Sequence, residues 1–338
     1  MSPQVIIDGL IAGSTIGLGA IGLTLTYSII CLGLNVQWGQ TGLFNVGVAA
    51  FVGVGAYTSV LLTTPATPDR IGGFGLPIAV GWLGAALISA FVSFLVGALT
   101  LRMRSDYLAI TTFGIAIALQ LCFQNLESLT GGVFGVGFIP RAFAGVQDNP
   151  ILFNYANLAL AAVLVLVLYL ILEHLARSPW GRVLRAVRED ETAAQSLGKS
   201  PASLRLQAFV LGGAIMGLAG AVQAHFVGFI SPPNYLPMLT FQVWAMLIVG
   251  GSGNNKGAIL GAVLVWAIWA LSGSLISELF PADQQARAAS LQIAIIGVML
   301  CLLLLWRPQG LLPERQIISK HLGEREEKPK PIRRHKNA

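Results

Sequence analysis

Residues able to do chemistry are few in this sequence, and their spacing argues against most reactions. There is no HExxH pair to hold zinc, no GxSxG nucleophile turn, and no pair of solvent-facing acids poised for hydrolysis. Gly198-Lys199-Ser200 has the look of the end of a phosphate-binding loop, but that loop needs a glycine five residues earlier, where Ala193 stands. Cys31, Cys122 and Cys301 are an odd set inside apolar stretches, without motif spacing, and read as small packing residues. No catalytic residue, metal site or cofactor bound by this chain is expected. What remains is neutral polarity: Asn35, Gln37, Gln40, Thr41, Asn45, Thr111, Thr112 and Gln242 sit among apolar neighbours. Amides and hydroxyls can hydrogen-bond a solute but cannot exchange a proton near neutral pH.

The ionisable residues of the apolar stretches, Asp8, Glu173, His174 and His225, lie near their ends. A proton- or sodium-coupled carrier needs such groups at depth, and voltage sensing needs an arginine ladder. A lone histidine such as His225 is expected to hydrogen-bond within a helix bundle. With no ATP-binding loop and no coupling group, uphill transport by this chain would need a partner to supply the energy.

The elements that position these residues are set by composition. Of 338 residues, 55% are apolar and 11% charged, with 39 glycines, and mean hydropathy is +0.73. A globular protein carries roughly 25% charged residues. From Gly9 to Pro68 no Asp, Glu, Lys or Arg occurs, a run long enough for two crossings at about 20 residues each. The expectation is an all-α polytopic membrane protein with about nine transmembrane helices, some broken or re-entrant. The stretches are 5–33, 42–63, 76–100, 107–125, 151–173, 206–230, 236–250, 257–275 and 288–306, the seventh short enough for a partial helix. The first lacks the basic flank of a cleavable signal peptide and is expected to stay in the protein.

Charge placement agrees with an odd number of crossings. Alternating nine spans puts 18 basic residues on one side and only Arg70, Arg141 and Arg287 on the other. The positive-inside rule then places the tail in the cytoplasm and the N-terminus outside. This also accounts for the pI near 9.5 without a nucleic-acid partner. Residues 1–306 form the membrane domain, and 307–338 read as a basic, solvated cytoplasmic tail, with a lipid-headgroup or partner contact as the alternative.

Two places read as interrupted helices: Asn35–Tyr57 and Gly250–Gly261, the latter GGSGNNKGAILG. Non-helical backbone at membrane depth survives only when buried in protein or lining a wet cavity. The amide-bearing interruptions are therefore the candidates for the conduit, whereas pairs such as Gly13/Gly17 and Gly213/Gly217 suit close helix contact. The most charged loop, 174–205, contains Glu189, Asp190 and Glu191, then Thr192 to Leu197, then Gly198. Acids at the start and glycine at the end specify a short helix over 189–197, either a solvated connector or a docking element.

This loop, continued as SPWGRVLRAVREDETAAQSLGKSPASLRLQAFVLGGAIMGLAGAVQAHFVGFISP, resembles the permeases of branched-chain amino acid ABC importers, of the LivM type. LGLNVQWGQTGLFNVGVAAFVGVGAYTSVLL, LRMRSDYLAITTFGIAIALQL, the run Ser128 to Gly132 and LIVGGSGNNKGAILGAVL resemble the same family, in order, over most of 25–270. The chain departs from many relatives at Phe44-Asn45-Val46-Gly47-Val48, where they have Ser-Leu-Gly-His-Ala. It also matches the importers' Glu-Ala-Ala-then-Gly motif loosely, with Glu191 one residue early and Thr192 in the Glu position.

The resemblance implies a permease subunit in the bacterial inner membrane with no active site of its own. It implies a paralogous second permease, two ABC ATPases that carry the ATP and magnesium, and a periplasmic or lipid-anchored substrate-binding protein. It further implies a coupling segment through Gly181, Arg182, Arg185, Arg188, Glu189, Asp190, Glu191, Ala194 and Gly198. The candidate translocation pathway comprises Asn35, Gln40, Thr41, Asn45, Gly47, Thr130, Gly131, Gly132, Gly250, Gly251 and Gly253. The substrate expected is leucine, isoleucine or valine. The alternatives are a urea-importing ABC permease and a stand-alone channel or secondary carrier for a neutral solute.

Overall fold

A computed structural model describes residues 3–67, 70–146, 148–280, 284–307 and 309–314. The first half contains α1 (Pro3–Gln37), α2 (Val48–Thr63), α3 (Ile78–Thr100), α4 (Ser105–Asn125) and the single turn α5 (Glu127–Thr130). The second contains α6 (Pro150–Arg177), α7 (Pro179–Glu189), α8 (Glu191–Ser196), α9 (Pro201–Val227), α10 (Pro237–Gly250), α11 (Asn255–Leu279) and α12 (Gln285–Trp306). Proline stands in the first turn of α6, α7, α9 and α10, where its missing N–H is not needed and its fixed φ suits the helix.

The nine apolar stretches coincide with α1, α2, α3, α4, α6, α9, α10, α11 and α12. Among the described residues, six helices are long and apolar enough to cross a membrane: α1, α3, α4, α6, α9 and α11. The protein is a multi-pass, helical membrane protein. α2 and α10 have 16 and 14 residues, about 24 and 21 Å at 1.5 Å per residue, against a hydrocarbon core of about 30 Å. Each falls short because glycines and amides hold the chain out of helix at one end. α2 begins only at Val48, after turn and irregular residues 38–47, and α10 stops at Gly250.

Helix α9 is the centre, with α1, α2 and α3 packed on it. The approach is close because the facing residues are small. A Cβ on Gly212 would lie 2.7 Å from the Gly33 carbonyl oxygen, and one on Gly213 would lie 2.5 Å from Ser93 Cβ. Helix α3 buries Gly81, Ala85, Ser89, Ser93 and Gly97 while exposing Leu83, Leu87, Phe91 and Leu99. Small residues inward and large apolar ones outward is the pattern lipid favours, since hydrocarbon gives leucine no reason to hide. Gly17 does not share in this: among the described residues no other helix comes within 4 Å of where its Cβ would be, and the side-chain surroundings of Gly13 lie outside the description. Of the cysteines, Cys31 is a core residue, whereas Cys122 and Cys301 are exposed on α4 and α12.

Helices α7 and α8 stand at the end of the bundle where α6 finishes and α9 starts. The short antiparallel hairpin β1 (Pro65–Thr67) and β2 (Arg70–Phe74) closes the α2–α3 connection at the opposite end. There, a bridge between Val136 and Ile230 ties the loop after α5 to the chain leaving α9. His225 belongs to this end. Its Nδ1 lies 2.6 Å from the Pro140 carbonyl and its Nε2 2.8 Å from Ser59 Oγ. A carbonyl only accepts, so Nδ1 carries the proton and Nε2 accepts from the serine.

The loop helix expected over 189–197 is divided. Asp190 is extended at φ −147° and ψ 104°, and its carboxylate accepts from the Ala193 N–H at 3.0 Å. Asp190 thus caps α8 rather than lying inside a helix. The preceding α7 was not anticipated, although Gly181, Leu184 and Val187 are buried on one of its faces.

Candidate functional site

The two helix interruptions meet. Asn35, near the end of α1, is fully buried and uses both ends of its amide: Oδ1 accepts from the Gly253 N–H at 2.8 Å, and Nδ2 donates to Asn255 Oδ1 at 2.9 Å. Asn255 in turn donates to Glu173 Oε2 at 3.1 Å, and Glu173 Oε1 pairs with Arg177 at 2.7 Å. Gln40 donates to the Gly253 carbonyl at 3.2 Å, while its Oε1 is buried without a partner. Gly253 has φ +85° and Gly251 φ +109°, a region that side-chain-bearing residues avoid. Thus Asn35, Gln40, Gly251 and Gly253 form one junction, with Gly250 packed closely on Gly257.

The rest of the α1–α2 interruption is braced by neighbouring helices. Gln37 donates to the Phe209 carbonyl at 2.8 Å and accepts from Asn45 Nδ2 at 2.7 Å. Asn45 Oδ1 accepts from the Gly47 N–H at 2.8 Å, and its carbonyl accepts from Trp244 Nε1 at 2.9 Å. The Val46 N–H donates to Thr112 Oγ1 and the Ala49 N–H to Thr240 Oγ1. Thr41 donates to the Gln37 carbonyl. A Cβ on Gly47 would lie 2.8 Å from the Thr112 carbonyl. Thr112 and Thr240 are as necessary here as the amides, because a buried backbone N–H left unpaired is costly. In this conformation the amides Asn35, Gln37 and Asn45 are turned into protein.

Thr130, Gly131 and Gly132 lie apart from this junction, at the end with the hairpin. Thr130 Oγ1 reaches the Phe123 and Leu126 carbonyls at 2.6 and 2.8 Å, and accepts from the Gly132 N–H at 3.3 Å. Gly131 and Gly132 have φ of +73° and +59°, the turn that sends the chain back toward Ile230.

The charged loop is organised by its own arginines. Arg182 and Arg185 donate to the Arg177 and Ala176 carbonyls at 3.4 and 3.3 Å, satisfying the open end of α6 with charge of the favourable sign. Arg205 pairs with Glu191 at 2.7 Å and ties α8 to α9. Ala194 is buried, and Gly198 at φ +74° closes the turn. Otherwise α8 projects: Thr192, Ala193, Gln195 and Ser196 are exposed, and Leu197 is 80% exposed. Arg188 turns the other way and donates to the Gly39 carbonyl inside the junction. Its ion pair with Glu314, at 2.8 Å, had no local signal in the sequence, because Glu314 follows α12 in a stretch that reads as tail. Among the described residues no cluster of His, Cys, Asp and Glu could hold a metal ion.

Residues 16–304 match the family described as the permease component of the branched-chain amino acid transport system. The chain belongs to that family. The high-affinity branched-chain amino acid transport permease LivM of Salmonella typhimurium is 34% identical, covering 86% of this chain and 68% of the relative. The probable LivM of Methanocaldococcus jannaschii is 28% identical over 87% and 92% of the two chains. LivH of Escherichia coli is 26% identical over 88% and 94%. No solved structure matches this permease. The matched region ends at residue 304, so the segment carrying Glu314 falls outside it.

Proposed function

We propose that this permease is one membrane subunit of an ATP-driven importer for branched-chain and other neutral amino acids, forming half of the translocation pathway. Its partners are a second, related permease, two ATPases that bind ATP and magnesium, and a substrate-binding protein. The similarity to both LivM and LivH supports a pair of related permeases. The asymmetry of basic residues supports a cytoplasmic face carrying α7 and α8 and an inner-membrane location, with the binding protein on the opposite face.

The observation that carries the coupling reading is the shape of α8. It is a short, capped helix held to the bundle by Ala194 and the Glu191–Arg205 pair, with its remaining surface and Leu197 exposed. A connector of solvated polar residues has no need to display an apolar side chain on a fixed turn. A surface that receives a partner does. The substrate class is supported by the family and by the relatives' names, because the junction amides Asn35, Gln37 and Asn45 are committed to protein partners in this conformation.

The test is uptake of labelled leucine into proteoliposomes holding the complete complex. Uptake is expected only with ATP inside and binding protein outside. Transport of urea or a sugar in place of leucine would overturn the substrate assignment and leave the importer intact. Transport by this chain alone, without ATP, would overturn the subunit reading.

A further inference from the structure

Three separate parts of the chain converge on one ion pair. Arg188, at the end of α7, points away from the exposed face of its loop. It donates to the Gly39 carbonyl of the α1–α2 interruption and pairs with Glu314 at 2.8 Å. Glu314 is delivered by residues 309–314, which lie along the α10–α11 interruption. The Leu311 and Leu312 N–H groups donate to the Val249 and Gly250 carbonyls, each at 2.9 Å, and Asn254 donates to the Leu312 and Pro313 carbonyls at 3.4 Å. The Glu314 carboxylate sits so close to Gly253 that a Cβ there would lie 2.7 Å from Oε2.

We infer that Glu314 is a positioning residue for transport: it holds the Arg188 guanidinium across both helix interruptions, so that displacement of α7 reaches the α1–α2 and α10–α11 segments together. The inference rests on the permease reading above. An arginine side chain left to itself samples many rotamers, and a single bond to a backbone carbonyl would select among them weakly. A carboxylate fixes the planar fork and leaves the other donors aimed at Gly39. Both side chains are 24% exposed, enclosed enough for the pair to persist where a surface pair would be screened. Glu189 does not substitute: it is 76% exposed and 3.8 Å from the guanidinium.

The experiment measures leucine uptake and ATP hydrolysis together in proteoliposomes of the full complex. The variants are Arg188→Ala, Glu314→Ala, the double variant and Glu314→Gln. Each alanine variant is expected to lower the uptake per ATP hydrolysed about five-fold or more, the lower bound of usual coupling between sites. The double variant should fall no further than the worse single one, because the two residues act as one unit. A ratio unchanged in the single variants, with only the amount of assembled complex reduced, would show a structural role and overturn the inference. So would losses that multiply in the double variant. If Glu314→Ala does not assemble, Glu314→Gln decides: it keeps an acceptor oxygen without the charge, and a wild-type ratio in it is also overturning. A wild-type complex that hydrolyses ATP without binding-protein-dependent uptake refutes the permease reading itself, a result distinct from normal wild-type transport with unaffected variants.

Discussion

Replacing Asn35 by alanine tests whether the two helix interruptions are held together by the amide that joins them. The substitution removes the acceptor of the Gly253 N–H at 2.8 Å and the donor to Asn255 at 2.9 Å. Hydrogen bonds between membrane helices average about 0.6 kcal/mol and reach about 1.7, so the pair contributes about 1–3 kcal/mol. The Gly253 N–H is also left buried without a partner, which costs about 1–3 kcal/mol more. In the native arrangement Gln40 engages the Gly253 carbonyl rather than its N–H. The expected destabilisation is therefore about 2–6 kcal/mol.

In a chain of this size about 2 °C of midpoint corresponds to 1 kcal/mol, so purified Asn35→Ala permease in detergent should unfold about 4–12 °C below wild type. Asn35→Asp separates the two bonds. It still accepts from Gly253 but cannot donate to Asn255 while ionised, and it places a carboxylate in a fully buried site. Its loss should equal or exceed that of alanine. Thr111→Ala is the control, because Thr111 Oγ1 makes an exposed contact with Met103 Sδ at 3.6 Å, away from the interruptions. A midpoint for Asn35→Ala within about 2 °C of wild type would refute the argument that this amide braces the interruptions.

Two further outcomes follow from the charged loop. Gly198 has φ +74° with open space around it, so Gly198→Val meets no clash and suffers only backbone strain of about 1–2 kcal/mol. The variant should insert normally yet lose substrate-stimulated ATP hydrolysis and uptake together, and full ATP-driven transport in it would reduce the loop to a connector. Cysteine at Ser200, which is exposed between α8 and α9, should resist a membrane-impermeant thiol reagent in intact spheroplasts and react after permeabilisation. Labelling of intact spheroplasts would reverse the proposed orientation.

The elements were legible where local pattern decides them. Runs of apolar residues located the nine long segments, and the amide- and glycine-rich stretches marked where α1–α2 and α10–α11 leave helix. The role of the amides was harder to read, because composition does not distinguish an amide that lines a path from one that satisfies backbone. Asn35, Gln37 and Asn45 do the second in this conformation, and the first two find partners on other helices: Asn255 and Phe209 are separated from them by 220 and 172 positions. The split between α7 and α8 escapes local pattern for a related reason. By sequence Asp190 suits the dipole of a helix that contains it, whereas its side chain takes the Ala193 N–H and draws its own backbone out of helix, the competition that makes aspartate a better cap than an interior residue. Glu314 was beyond reach altogether. In sequence it is one acid at the start of a basic tail, and only the pairing of residues 311 and 312 with the exposed carbonyls of Val249 and Gly250 brings it beside Arg188. Those carbonyls are open because α10 stops at a glycine, so the feature that shortens the helix is also what creates the seat for the chain's return. A longer α10 would close that seat and separate Glu314 from Arg188, and the α7–α8 loop would then touch only one of the two interruptions.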